Sequence, residues 1–298
     1  MTDYRTLVYE TDGRIAHIVL NRPDRGNAIT FEMPGELAGA VERACLDPAV
    51  HVIALSGRGK GFCGGYDLES FAEGRGATEP RADVPAGSPL DPRVQLANHQ
   101  PDTAWDPLVD YALMRRNVAA FMSLFFAEKP VICKVHGFCI AGGTDMALCA
   151  DLLIVEDESR IGYPPARVWG VPTTAMWVHR IGLTRARRLL FTGDSIYGRE
   201  AAAWGLATES APADLLDGRF ESLLQRVSRI PQNQLAMTKL LVNQTVLQQG
   251  LQATQVLGTI LDGIARHTPE GYAFQRRAAE LGFRAAVAER DQPFRDQP

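Results

Sequence analysis

Two glycine turns in this chain carry residue types that can bind an anionic oxygen. The first turn contains Gly64, Gly65, Tyr66 and Asp67, and the second contains Ala141, Gly142 and Gly143. Each turn follows an apolar run typical of a strand and opens a segment with helical spacing. The first N–H groups of a helix have no acceptor within that helix, so they are available to an anion. Together the turns predict two fixed N–H donors for one oxygen, the arrangement known as an oxyanion hole.

One acidic residue closely follows the second turn. Asp145 lies three residues after Gly142, which places it in the first turn of the predicted helix. An acid at this position interacts favourably with the helix dipole, by under about 1 kcal/mol at a surface. The residues alone leave two roles open for Asp145: a structural acid at a helix start, or an acid or base within a site.

The elements that hold these turns are predicted from apolar periodicity and turn residues. The pattern predicts a β-hairpin over residues 5–21, strands over residues 51–56 and after Pro130, and helices over residues 30–46, 108–127, 184–192 and 198–205. The Asp12-Gly13 pair between two alternating apolar runs is the hairpin signal. Thr30 has the residue type of an N-cap for the first helix.

Two regions depart from this strand-turn-helix pattern. Residues 72–107 are rich in Pro, Gly, Asp and Ala, and they predict a long loop, either a flap over a site or a partly disordered insert. From residue 213 onward almost all of the chain has helical spacing. We therefore predict a core over residues 1–212 and a helical C-terminal region over residues 213–298, which packs on the core and supplies a subunit interface.

The composition limits the class of protein. The chain has 298 residues, of which 46% are hydrophobic and 22% charged, with a formal net charge of −4. This balance and the lack of a basic run exclude a nucleic-acid partner. There is no apolar run long enough for a membrane span and no signal-peptide pattern, so we expect a cytoplasmic protein. The five cysteines form no CxxC pair, so reduced thiols are expected and no metal site.

The order of the motifs resembles the crotonase superfamily, also called the enoyl-CoA hydratase/isomerase family. The matching segments are residues 21–30, 61–68, 129–151, 161–164, 170–172, 185–193 and 201–206. The resemblance implies an α/β fold with a crotonase-like ββα spiral core and a helical C-terminal region. It also implies an acyl-CoA thioester as the binding partner, with coenzyme A arriving as part of the substrate and no separate cofactor. Members usually assemble as homotrimers or as hexamers made of two trimers.

The resemblance assigns roles to single residues. The two oxyanion donors are the backbone N–H groups of Tyr66 and Gly142, and Asp145 stands where hydratases have their first catalytic glutamate. Residues implied to shape the turns or to bind the substrate and its coenzyme A are Arg25, Gly64, Gly65, Asp67, Gly143, Tyr163 and Pro165. Asp67 also has the position of a structural acid that caps its turn.

The family pattern breaks at the second catalytic acid. Pro165 holds that position, and proline has no titratable group. A further acid position used by some relatives is Thr173, with Thr174 next to it. The expected enzyme is of the enoyl-CoA hydratase/isomerase type, either a lyase or an isomerase. A site with one carboxylate fits double-bond isomerisation of an enoyl-CoA better than hydration. The alternatives are a non-catalytic acyl-CoA-binding protein, thioester hydrolysis and decarboxylation.

Overall fold

The strands form two sheets in the computed structural model, which describes residues 4–68 and 84–294. In chain order the strands of these residues are β1 (Leu7–Asp12), β2 (Ile15–Leu20), β3 (Val52–Gly57), β4 (Val131–Val135), β5 (Phe138–Ile140), β6 (Leu152–Glu156), β7 (Arg160–Gly162), β8 (Ser195–Tyr197) and β9 (Glu209–Ala211). The larger sheet has the order β1-β2-β3-β4-β6-β9, and the smaller has the order β5-β7-β8. From β2 to β9 the larger sheet is parallel, so the chain has an α/β fold.

Helices cover the sheets and make up the last third of the chain. Those of the described residues are α1 (Met33–Leu46), α2 (Pro92–Asn98), α3 (Pro107–Phe126), α4 (Gly142–Ala147), α5 (Met176–Thr192), α6 (Gly198–Trp204), α7 (Ala213–Ser228), α8 (Gln232–Gln248), α9 (Leu251–Arg266), α10 (Pro269–Leu281) and α11 (Phe283–Asp291). Among the helices of residues 4–68 and 84–294, none combines the length and the apolar character that a membrane crossing requires.

Apolar side chains fill both faces of the larger sheet. One face packs against α1, α3 and α5, with Leu37, Phe121 and Trp177 in the main core. The other face is covered by α7, which contributes Phe220 and Leu224. Because both faces of the parallel strands are buried, residues 52–55 of β3 and 131–133 of β4 are continuous apolar runs rather than alternating ones. The helical C-terminal region therefore packs on the core through its first helix.

The predicted hairpin and first helix are both present. Strands β1 and β2 are antiparallel, and Asp12 pairs with Ile15 across the turn. Helix α1 begins at Met33, three residues after the predicted N-cap. The Thr30 side chain still accepts hydrogen bonds from the N–H groups of Glu32 and Met33, each at 3.3 Å. Thr30 therefore supports the helix start from just outside it.

The prediction of a loop throughout residues 72–107 is wrong for its second half. Helix α2 forms there, with proline at its first position and the Asp91 side chain accepting from the Arg93 N–H at 2.9 Å. Proline and an aspartate N-cap are strong helix-start signals, and they outweigh the loop-like composition around them. Residues 69–83 lie outside the described residues, so the flap or insert predicted there stays a prediction.

Candidate active site

The two glycine turns lie side by side. The Ile140 N–H donates to the Cys63 carbonyl at 2.9 Å, which joins the end of β5 to the first turn. Gly65 has a φ of 98°, and a Cβ there would lie 2.9 Å from the Ala141 Cβ. A Cβ on Gly143 would lie 2.5 Å from the Cys63 carbonyl oxygen. Glycine at these positions therefore lets the two backbones approach each other closely.

The backbone geometry directs the Tyr66 N–H away from the chain that precedes α1. The Ile29 N–H donates to the Gly65 carbonyl at 2.8 Å, and the Asp67 N–H donates to the Ile29 carbonyl at 2.9 Å. Successive peptide groups of an extended segment point to opposite sides, so the Tyr66 N–H points away from Ile29. Gly142 is the first residue of α4, so its N–H has no acceptor within that helix. Tyr66 and Gly142 line one cavity of about 240 Å³.

Ala141 has an unusual backbone conformation directly before Gly142. Its φ is 53° and its ψ is −125°, a region that costs a residue with a side chain about 1–3 kcal/mol. The Ala141 N–H donates to the Gly162 carbonyl at 3.0 Å, and the Ala141 carbonyl accepts from the Thr144 N–H at 2.8 Å. These bonds fix the peptide that carries the Gly142 N–H. Sequence reasoning missed this role, because alanine itself gives no signal of a positive φ.

Asp145 is a buried carboxyl held by one neighbour. Its side chain is 1% exposed, and its Oδ1 accepts from the Thr174 N–H at 3.1 Å and from Thr174 Oγ1 at 2.8 Å. Its Oδ2 has no hydrogen-bond partner in the described part of the chain. Burial raises the pKa of Asp145 to about 7, although the Thr174 hydrogen bonds act to lower it. A carboxyl with this pKa can both accept and give a proton near neutral pH.

Thr174 therefore has a function that the sequence did not reveal. In the sequence, Thr174 is only the neighbour of Thr173, the position at which some relatives have an acid. In the structure, Thr174 hydrogen-bonds to Asp145. The Thr174 carbonyl accepts from Gln255 Nε2 at 2.9 Å, which ties this segment to α9. The pair of threonines after the Gly-x-Pro turn was the available signal.

Tyr163 and Pro165 both line the cavity. Pro165 lies in a short 3₁₀ helix, Pro164–Arg167, and presents a ring without a titratable group. The Tyr163 hydroxyl donates to the Val171 carbonyl at 2.9 Å. Burial raises the pKa of Tyr163 well above its ordinary value, and the charge of Asp145 adds to this effect. The phenol is therefore a neutral wall of the cavity.

Helix α9 brings two charged residues to the same cavity. Asp262 and Arg266 both line it, and they form an ion pair one helical turn apart. Asp262 Oδ1 also accepts from the Val171 N–H at 3.0 Å. Sequence reasoning gave the C-terminal region packing and assembly roles only, so both residues were missed. An acid followed four residues later by a base, on the same face of a helix, was the available signal.

A buried polar cluster continues from Arg266 to α2 and α3. Asp110 accepts from Trp105 Nε1 at 2.6 Å and lies 3.2 Å from His99 Nε2 and 3.4 Å from Arg266 Nη2. Burial raises the pKa of Asp110, but the His99 hydrogen bond and the Arg266 charge outweigh it and lower that pKa below its usual range. Ligand atoms of His99, Asp110 and His267 lie within 4.8 Å of one another. The adjacent guanidinium of Arg266 opposes a metal cation in this cluster.

Arg25 lies in a second groove next to the first turn. Gly64, Asp67 and Leu68 line this groove with Arg25, and α11 contributes Phe283 and Arg284. Asp67 is buried and accepts from Arg22 Nη2 at 2.9 Å, which ties the first turn to the segment after β2. Two arginines from distant parts of the chain therefore border this groove, together with the acids Asp24 and Asp67.

Comparison with known proteins identifies the family. A family model for enoyl-CoA hydratase/isomerase matches residues 10–86 and 105–268. The chain belongs to the enoyl-CoA hydratase/isomerase family. The crystal structure of an enoyl-CoA hydratase from Mycobacterium smegmatis is 50% identical, with a TM-score of 0.91 over 99% of this chain and 96% of that one. The family and fold implied by the sequence are thereby confirmed.

More distant members of the family also match most of the chain, one of them in structure and the other in sequence. An enoyl-CoA hydratase/isomerase from Xanthobacter autotrophicus is 26% identical, with a TM-score of 0.82 over 98% of this chain and 99% of that one. The carnitinyl-CoA dehydratase of Proteus mirabilis is 28% identical over 76% of this chain and 76% of its own. The protein is therefore an enzyme of the crotonase superfamily, whose members differ in the reaction they catalyse.

Proposed function

We propose that this crotonase-superfamily enzyme binds an acyl-CoA thioester and stabilises the enolate formed at its carbonyl. The observation that carries the proposal is the pair of N–H groups of Tyr66 and Gly142 on one cavity wall, near the buried carboxyl of Asp145. The thioester oxygen accepts both hydrogen bonds and gains charge when the α-carbon loses a proton. One such donor contributes roughly 3 kcal/mol to the transition state.

In this proposal Asp145 moves the proton at the α-carbon. Its pKa of about 7, raised mainly by burial, suits a group that must take and return a proton at neutral pH. Thr174 holds the carboxyl in place and leaves Oδ2 to face the substrate. The catalytic groups are thus Tyr66 and Gly142 through their backbones and Asp145 through its side chain.

The coenzyme A portion is proposed to enter along the groove that Arg25 and Arg284 border. Their guanidinium groups pair with its phosphates, while the glycines at positions 64, 65 and 143 let the backbone approach the thioester. The acyl chain then extends into the cavity lined by Leu113, Met114 and Phe274. Coenzyme A is part of the substrate, and the proposal includes no other cofactor.

The reaction is proposed to be hydration or double-bond isomerisation of an enoyl-CoA, because both pass through the same enolate. The names of the similar proteins, enoyl-CoA hydratase and enoyl-CoA hydratase/isomerase, support this reaction class. We further propose that copies of the chain assemble as trimers or hexamers through the exposed apolar residues of α8 and α9, among them Leu240, Leu241 and Leu257.

Exchange of α-protons tests the enolate chemistry directly. The enzyme is incubated with butyryl-CoA in deuterated water, and deuterium at the α-carbon is measured by NMR. Wild-type protein should incorporate deuterium, and Asp145→Asn should lose at least about 100-fold of the rate. Asp214→Asn, the same change at an exposed acid of α7, should keep the full rate. Binding of butyryl-CoA without exchange by the wild-type protein would indicate an acyl-CoA-binding protein instead.

A further inference from the structure

We propose that Asp262 of α9 is the second acid–base group of this site and that it substitutes for the carboxylate missing at position 165. The inference rests on the proposed enolate chemistry and adds to it the activation of water. It makes enoyl-CoA hydration, rather than isomerisation alone, the reaction of this enzyme.

Gly170 shows how close Asp262 lies to position 165. A Cβ built on Gly170 would lie 2.8 Å from the Pro165 Cβ and 3.7 Å from Asp262 Oδ1. The Pro165 Cβ and the Asp262 carboxylate are therefore no farther apart than the sum of these two distances. The carboxylate of a glutamate extends by two carbon–carbon bonds and one carbon–oxygen bond beyond its own Cβ. Asp262 thus places its carboxylate in the neighbourhood that a glutamate at position 165 would reach.

Asp262 is held firmly in this position. Its side chain is buried, its Oδ1 accepts from the Val171 N–H at 3.0 Å, and its other oxygen pairs with Arg266. A carboxylate oxygen has two lone-pair sites, so each oxygen keeps one acceptor position beyond the bond described. The arrangement combines a fixed orientation with remaining capacity to bind a water molecule.

The cavity-lining carboxyl of Asp262 and the buried carboxyl of Asp145 influence each other. Among the charged groups, that of Asp262 is the one that raises the pKa of Asp145, after the larger effect of burial. Two nearby carboxyl groups in a low-dielectric environment disfavour a state in which both are ionised. The division of roles that follows has Asp262, which pairs with Arg266, as the base and Asp145 as the proton donor.

This division gives a balanced hydration step. The Asp262 carboxylate takes a proton from water as the water oxygen bonds to the β-carbon of a 2-enoyl thioester. The double-bond electrons move to the α-carbon and the thioester oxygen, where the Tyr66 and Gly142 N–H groups stabilise the charge. Asp145 then gives its proton to the α-carbon. Transfer of the proton on Asp262 to Asp145 through solvent restores both groups, so the net change is the addition of one water.

Two assays on the same variants test this role. Hydration of crotonyl-CoA reports water addition, and α-proton exchange of butyryl-CoA reports enolate formation alone. Asp262→Asn should lower kcat for hydration at least about 100-fold, with KM within about threefold of wild type. The α-proton exchange should be retained. A merely structural change would instead reduce both activities. Adding Pro165→Glu to Asp262→Asn should restore hydration at least about tenfold, since it returns a carboxylate to the same neighbourhood.

The outcomes separate the two proposals. Absence of exchange in the wild-type protein overturns the proposed function itself. Two outcomes overturn the role of Asp262 while leaving the enolate chemistry in place. One is exchange without hydration in the wild type. The other is hydration by Asp262→Asn within about threefold of wild type. If Asp262→Asn does not fold, the double variant Asp262→Asn and Arg266→Gln, which removes both charges of the pair, undergoes the same two assays with the same expected results.

Discussion

At the scale of single residues, the site depends on the buried carboxyl of Asp145 and on its hydrogen bonds with Thr174. Thr174 donates twice to Asp145 Oδ1, and these bonds oppose the stronger effect of burial on the pKa. The balance leaves the pKa at about 7, where a small change in surroundings alters the fraction that is ionised. Position 174 thus tunes the acid at position 145, although the two residues are well separated in sequence.

The pKa of Asp145 predicts a pH dependence of stability. Burial raises this pKa to about 7, against about 3.9 in an unfolded chain. The resulting stabilisation is complete below about pH 4 and is lost as the pH rises through about 7. Asparagine does not titrate, so Asp145→Asn lacks this loss. The free energy of unfolding of the variant minus that of the wild type should therefore increase by up to about 3 kcal/mol from pH 5 to pH 8. Urea unfolding at both values measures it; a difference that does not change with pH would contradict the buried carboxyl.

At the scale of elements, α4 and the first turn form one unit. The start of α4 packs so closely on the first turn that a Cβ at position 143 would lie 2.5 Å from a backbone oxygen. A backbone atom cannot move aside as a side chain can, so any added group must separate the turns. The spacing of the two N–H donors is therefore set by backbone packing.

This packing predicts the effect of adding one methyl group. Gly143→Ala should lower the free energy of unfolding by about 1–3 kcal/mol and reduce α-proton exchange at least about tenfold, because the donors move apart. Gly218→Ala is the matched control, since Gly218 is exposed on α7 with open space around its Cβ position. The control should gain about 0.5–1 kcal/mol. Equal behaviour of the two variants in thermal unfolding would exclude the close approach described.

Local sequence patterns were enough for the hairpin, α1 and the residues next to the glycine turns, but not for α2. The hairpin, α1, both turns and Asp145 were recognisable because each depends on neighbours within a few residues. Asp262 and Arg266 were not, because their approach to Val171 and Pro165 depends on how α9 packs on the core. The strained φ of Ala141 was also hidden, since it is imposed by hydrogen bonds to Gly162 and Thr144 rather than by its own residue type.

At the scale of the whole molecule, α9 is reversed relative to an ordinary surface helix, because it buries its polar face and exposes its apolar face. The buried face carries Gln255, Thr259 and Asp262, while the exposed face carries Val256, Leu257, Ile260, Leu261 and Ile264. Helix α8 adds further exposed apolar residues, including Leu240 and Leu241, which are 71% and 74% exposed. An apolar surface of this kind on one chain is typical of an interface between copies.

The reversed helix predicts the consequence of charging its outer face. Leu257→Asp with Leu261→Asp should dissociate the assembly to monomers, because two carboxylates would be buried without partners. Light scattering coupled to size-exclusion chromatography measures the mass. Leu46→Asp, at an exposed leucine of α1, is the control and should leave the assembly intact. A wild-type protein that is already monomeric would contradict the proposed assembly.

The reversed faces of α9 also link the association of copies of the chain to the reaction rate of each copy. Helix α9 holds Asp262 on its inner side, so in the proposed assembly contacts on its outer side would also hold the carboxylate against the cavity. Binding between copies then stabilises the active arrangement by mass action. Dilution would release the helix from its partner and lower the rate per chain, and protein concentration would act as an activator of this enzyme.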